Sequence, residues 1–145
     1  MGITVGSAVD IERPVAEVFA FISDLKNWAT WMTPLIEIRN VEGDGLGAKM
    51  DGVMQIVGRN FETQYEITAY EPNKQILYRG TRPDGDYALR VEARDNGTRL
   101  IQEVDLNLVG LVVLAAPVIA SMLRRQLQAD LDTVKDILET PGEEE

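Results

Sequence analysis

The chemistry open to this chain is set first by two absences: its 145 residues hold no histidine and no cysteine. Histidine is the commonest general base and metal ligand near neutral pH. Cysteine would supply disulfides, thiolate nucleophiles and soft metal sites, and doing without it suits a reducing compartment. Carboxylates, tyrosines, tryptophans and amides remain, so no metal and no cofactor is expected. Glu103 and Asp105 stand two residues apart and share a strand face, as do Glu62, Gln64 and Glu66. Enclosed carboxylates of this kind raise one another's pKa and can exchange protons with a substrate. The strand phase turns both groups outward, where they form a solvated face.

Uncharged polar groups fall on the opposite phase. Tyr65, Tyr87 and Gln102 lie on faces assigned inward, with Tyr78 joining them. Each could orient one polar group of an otherwise apolar ligand, or be an ordinary buried polar group satisfied by backbone. Trp28 and Trp31 are three apart and so lie near one another on a helical turn, either as a cavity lid or as core. Met50, Met54 and Met122 suit a pocket for ligands of varied shape and equally suit plain core filling. Arg124 and Arg125 read as a surface pair, with a clamp for a carboxylate ligand as the alternative.

The elements that position these side chains follow from hydrophobic periodicity. Ile3–Ile11 alternates as a first strand, which Arg13-Pro14 ends; Val15, Val18, Phe19 and Ile22 then mark a short helix. Ser23-Asp24 caps a second short helix over Leu25–Met32, stopped by Thr33-Pro34. Leu35–Val41 is extended again. Glu42–Gly47 faintly echoes a nucleotide-binding fingerprint, but it lies between strands and opens no helix, so it reads as a backbone reversal. A meander follows from Ala48, with Met50, Gly52, Met54 and Ile56 on one face and a turn over Val57–Asn60. Its further strands run over Phe61–Ala69, Gln75–Thr81, Tyr87–Arg94 and Arg99–Leu106. Asp95-Asn-Gly-Thr98 is the strongest hairpin signal and fixes their register.

The C-terminal stretch Leu108–Leu138 opens as an uncharged apolar run and becomes an amphipathic helix after Leu123. Ile119, Leu123, Leu127, Leu131, Val134 and Leu138 form one stripe. A stripe and a one-faced meander bury each other only if the sheet curls around the helix. The run from Leu106 to Leu123 approaches the length of a membrane span. Asn107, Gly110, Pro117 and Ser121 interrupt it, so no stable span is expected, and the apolar segment 108–123 is expected to act as a flap or contact surface.

With 45% hydrophobic and 26% charged residues, the chain fits one domain, assigned to residues 1–139, with a disordered acidic tail over 140–145. A net charge of -10 offers no cationic surface to phosphate backbones, so nucleic acid is excluded as a partner. The first residues lack a basic and an apolar leader region, which points to a soluble cytoplasmic protein.

Taken in order, several local motifs resemble the START-like superfamily, also called SRPBCC, and within it the polyketide cyclase/dehydrase and lipid-transport group. The resemblance runs from about Val5 to Glu139. It rests on Ile11-Glu-Arg-Pro-Val-Ala-Glu-Val-Phe19, Asn27-Trp28, Trp31-Met32, Gly43–Gly47, Thr68-Ala-Tyr-Glu-Pro72, Gly97-Thr-Arg-Leu100 and Asp130–Glu139. It implies an α+β helix-grip fold: a curved antiparallel sheet of about seven strands wrapped around a long C-terminal helix, with two short helices between the first two strands. It also implies an apolar cavity between sheet and helix. The residues expected there are Trp28, Trp31, Met50, Met54, Ile56, Tyr65, Ile67, Tyr78, Tyr87, Leu89, Gln102, Val104, Ile119, Met122, Leu123 and Leu127.

Three functions fit these residues. The first is a carrier or sensor of a hydrophobic small molecule such as a lipid, isoprenoid or aromatic polyketide. The second is a polyketide cyclase or dehydratase in which Tyr65, Tyr87 and Gln102 orient a reactive ligand in a dry pocket. The third is an interaction module whose segment 111–119 binds a partner or a second copy to give a homodimer.

Overall fold

The computed structural model describes residues 2–33, 35–56, 58–81, 84–107 and 110–140, and all of their side chains except those at 56 and 110–112. Alternation of apolar and polar residues builds nearly half of the chain into strands: β1 (Gly2–Ile11), β2 (Leu35–Glu42), β3 (Lys49–Ile56), β4 (Arg59–Glu71), β5 (Gln75–Thr81), β6 (Gly85–Arg94) and β7 (Gly97–Asn107). Between β1 and β2 lie α1 (Val15–Ser23), a 3-10 turn at Leu25–Asn27 and α2 (Trp28–Trp31). A second 3-10 turn at Gly110–Ala115 leads into α3 (Ala116–Glu139), 24 residues long.

The seven strands form one antiparallel sheet in the order β1-β7-β6-β5-β4-β3-β2. The β1–β2 connection therefore spans the whole sheet. It does so through α1, packed on β6 and β7, and α2, which touches β2 and α3. The long helix α3 lies mainly along β1. This is the helix-grip arrangement that the stripe and the meander require.

Two apolar clusters fill the grip. The larger gathers Val18, Phe19, Ile22, Trp28, Ile67, Ile76, Leu89, Leu100, Leu131 and Val134 among others. The smaller joins Ile3, Val5, Val104 and Leu106 to Ala116 and Leu127 beneath the first half of α3. Tyr87 packs against both clusters.

Several details differ from the periodicity. The helix expected over 25–32 divides into a 3-10 turn and a four-residue α-helix, although Asp24 does cap it, accepting from the Lys26 N–H at 3.0 Å. Ile56 pairs with Arg59, so β4 starts two residues before Phe61. That end of the hairpin projects past the core, with 58–62 all exposed. The β6–β7 register pairs Arg94 with Gly97, so within the expected turn over Asp95–Thr98 only Asp95-Asn96 turn, and Gly97 and Thr98 already belong to β7. Gly97 is needed for another reason: a Cβ there would lie 2.0 Å from the Ile11 carbonyl oxygen. The α-helix begins at Ala116, inside the apolar run and ahead of its amphipathic part, with Pro117 in its first turn, where the missing N–H leaves no bond unmade.

Leu108 and Val109 lie outside the described residues, as do Pro34, Val57, Arg82, Pro83 and residues 141–145 of the expected tail. Thr140 closes α3, its N–H donating to the Asp136 carbonyl at 3.1 Å. No helix among the described residues is long and apolar enough to cross a membrane.

Candidate functional site

Where the two clusters meet, the sheet and α3 do not pack completely. A cavity of about 80 Å³ remains. Its apolar wall is Met32 and Leu35 from the α2–β2 corner, Met54 of β3, Val104 and Leu106 of β7, and Leu123 and Leu127 of α3. Its polar wall is Thr33, Tyr65, Tyr78, Tyr87, Gln102, Gln126 and Asp130. Larger depressions on the outer face of the sheet are lined by charged groups such as Arg39, Asp51 and Glu62. They lack the apolar walls of a ligand pocket.

Strand register brings the aromatic groups together. Tyr78 pairs with Ile67 on one side and Tyr87 on the other, and the Tyr78 and Tyr87 rings stack at 4.9 Å with an 8° interplanar angle. Tyr65 meets both edge-on, at 5.6 and 5.9 Å. Gly80 makes room for this group, since a Cβ there would come within 2.7 Å of the Tyr65 ring and 3.0 Å of Tyr87. Trp28 backs the cluster, 4.7 Å from Tyr78 and 5.8 Å from Tyr65. Such contacts fix ring orientation beyond what area burial alone would do.

Burial dominates the electrostatics. It pushes the Tyr65 hydroxyl up to about 12, against a smaller lowering by Thr63, and Tyr78 well above its ordinary value. Tyr87 is likewise raised by burial and then by Tyr65. All three are neutral donors at physiological pH. Two polar atoms on this wall, the Tyr78 hydroxyl and Gln102 Oε1, lie buried with no hydrogen-bond partner among the described residues. Gln102 lies within hydrogen-bonding reach of Tyr78 and lowers its pKa against the larger effect of burial, but the two groups are not aligned as a bond. Such atoms are uncommon in a packed interior and mark places where a polar partner is wanted.

Asp130 is the buried carboxylate of the site, 2% exposed. Its Oδ1 accepts from the Thr33 hydroxyl at 2.6 Å and the Thr33 N–H at 3.2 Å. Desolvation outweighs these bonds and raises its pKa to about 6. Sequence reading gave Asp130 no site role, although the signal was present: it falls three after Leu127 and one before Leu131, on the buried face of α3.

Of the residues expected at the cavity, Met54, Tyr65, Tyr78, Tyr87, Gln102, Val104, Leu123 and Leu127 line it. Met50, Ile67 and Leu89 are core residues away from the wall. Both tryptophans are buried in the core rather than forming a lid; Trp28 Nε1 donates to the Ile22 carbonyl at 2.8 Å, and Trp31 Nε1 has no partner among the described residues. Ile119 packs on the smaller cluster without reaching the cavity. Met122 points away and is 56% exposed, because it stands one residue, about 100° of helix, from the stripe position Leu123. The Ile56 side chain lies outside the described residues.

The outward carboxylates are placed as expected. Glu103 is exposed and pairs with Arg90, and Asp105 is also exposed. Arg124 and Arg125 are exposed and off the cavity, with Arg125 Nη1 donating to the Ser121 hydroxyl at 2.9 Å, so they form no clamp. Among the described residues no group of three or more carboxylates is arranged to hold a metal ion.

A seven-stranded sheet gripping a long helix, with a small apolar cavity between them, defines a helix-grip protein. The chain belongs to the family described as polyketide cyclase/dehydrase and lipid transport, whose model matches residues 2–139. Among curated proteins none matches this chain. Solved structures share the fold at low identity. The di-domain ARO/CYC BexL of the BE-7585A biosynthetic pathway is 17% identical with a TM-score of 0.78, over 97% of this chain and 51% of that one. This chain thus spans about half the length of that protein. The Zhui aromatase/cyclase from Streptomyces sp. R1128 is 18% identical with a TM-score of 0.75, over 96% of this chain and 94% of that one. A Thermus thermophilus protein is 12% identical with a TM-score of 0.80, over 95% of this chain and all of that one, 100%.

Proposed function

We propose that this protein binds a hydrophobic small molecule, such as a lipid, isoprenoid or aromatic polyketide, between the sheet and α3, and carries or senses it. One observation carries the reading: an apolar cavity inside the grip whose wall keeps unmatched polar atoms at Tyr78 and Gln102. Family membership and the aromatase/cyclase neighbours support it. At about 80 Å³ the cavity is smaller than the roughly 300–1,000 Å³ of ordinary ligand sites. A ligand therefore enters by displacing side chains at the mouth of the cavity, where Leu123, Gln126 and Tyr87 are half-buried and Thr33 is exposed, and Leu123 of α3 is the apolar side chain to move. Trp28 touches Tyr65 and Tyr78 from behind, so saturating ligand is expected to change tryptophan emission. An unchanged spectrum across fatty alcohols, quinones and aromatic polyketides, with no heat of binding, would overturn the proposal.

A second reading, a cyclase or dehydratase, is favoured by Asp130. A carboxyl with a pKa near 6 can give its proton to a departing hydroxyl. It then takes one from the adjacent carbon, so that water leaves and Asp130 ends protonated. Tyr65, Tyr87 and Gln102 would hold the ligand in register. Under this reading Asp130→Asn retains binding and loses turnover of a polyketide-type substrate; turnover unaffected by the change would exclude it.

A further inference from the structure

The polar groups of the cavity restrict what kind of ligand it can take. Gln102 Oε1 is an acceptor without a donor, and the Tyr78 hydroxyl, which can donate or accept, is also unmatched. A single ligand hydroxyl that reaches both donates to Gln102 while accepting from Tyr78. Turning the Gln102 amide over reverses the roles, and a hydroxyl still satisfies both. A ketone or an ether only accepts, so it leaves Gln102 Oε1 unmatched in the amide orientation seen here and needs the amide turned over, whereas a hydroxyl fits either orientation. Asp130 stands on the same wall, and its charge is felt at Tyr78. Among the described residues no Lys or Arg lines the cavity, and Arg124 and Arg125 face solvent.

We propose that the cavity selects a neutral apolar molecule bearing a hydroxyl, phenol or enol, matched by Tyr78 and Gln102, and that Asp130 rejects ligands bearing a carboxylate. This rests on the reading of the cavity as the ligand site. A carboxylate would bring a second negative charge into a space with no cation to offset Asp130, and it cannot donate to the Gln102 acceptor as that amide stands. Both effects act against the same ligand in a poorly solvated space. Free fatty acids are therefore poor ligands, whereas alcohols, phenols and enolic polyketides of similar apolar size are good ones.

The test is calorimetric titration of para-pentylphenol and para-pentylbenzoate near pH 8 into the intact protein, Asp130→Asn and Gln102→Leu. The three are first matched for fold by far-ultraviolet circular dichroism. The phenol is expected to bind the unaltered protein at least about ten-fold more tightly than the benzoate, a difference of about 1.4 kcal/mol. Asp130→Asn is expected to close most of that gap by improving the benzoate more than the phenol. Gln102→Leu is expected to weaken the phenol alone. Equal affinities, unaltered in Asp130→Asn, would overturn the selectivity and leave the ligand site standing. Failure of both ligands to bind any of the three proteins would overturn the ligand site and the selectivity together.

Discussion

Asp130 holds an acid in a place where most helices would put leucine, and its burial has a thermodynamic signature. Its folded pKa of about 6 lies above the ordinary 3.8, so between these values the folded chain binds more protons than the unfolded one. Stability from this residue is then full below about pH 4, falls as pH rises to about 6, and stays level above. Allowing for partial solvation, the fall amounts to about 1–2 kcal/mol. Urea denaturation from pH 4 to 7 should show Asp130→Asn losing this slope and exceeding the unaltered protein near neutrality. A variant that is uniformly weaker at every pH would contradict this account of the Thr33–Asp130 pair. Tyr78 presents the complementary case. Its hydroxyl is buried and unmatched, so Tyr78→Phe is expected to raise stability by about 1 kcal/mol, whereas loss of stability would show that the hydroxyl is already satisfied.

At the scale of elements, α3 is held unequally along its length. Leu131 and Val134 are fully buried in its second half, and the end is tied down by Arg13 Nε donating to the Leu138 carbonyl at 2.8 Å and the Glu12 N–H donating to Glu139 at 2.7 Å. Lys135 Nζ adds a bond to the Asp10 carbonyl at 2.7 Å. In the first half, Val118 and Met122 are exposed and Leu123 is only half-buried. Amide hydrogen exchange is therefore expected to be faster over 118–123 than over 130–137, and ligand should slow the first set. Uniform protection along α3 would contradict entry of ligand past Leu123.

The same asymmetry explains what the sequence made legible. Strand alternation and the helical stripe, both driven by burial, announced the sheet, the grip and the inward tyrosines. Where burial is partial the phase is loose, and Met122 reads as inward from the sequence although its neighbour Leu123 holds the stripe. Local irregularities were also hidden. The bulge between Ile67 and Ala69, the 3-10 turn before Ala116 and the close approach at Gly97 arise from tertiary contacts that no periodicity encodes. Asp130 is not legible as a site residue because its charge argues for solvent while its position argues for core, and in the structure position prevails.

For the whole molecule, the fold separates a well-packed interior from a small unfilled space. The larger cluster closes one side of the grip and the smaller cluster closes the other, with Tyr87 shared between them. Ligand binding at their junction should stabilise the folded chain in proportion to ligand concentration over its dissociation constant. The central claim is that the ligand lies at this junction. Nuclear Overhauser contacts between bound para-pentylphenol and the labelled methyl groups of the protein test it most directly. Contacts to Met54, Val104, Leu123 and Leu127, with none to the exposed Met122, are the result expected from the cavity wall. Contacts confined to Val118 and Met122 on the outer face of α3, with none to Met54 or Val104, would contradict it.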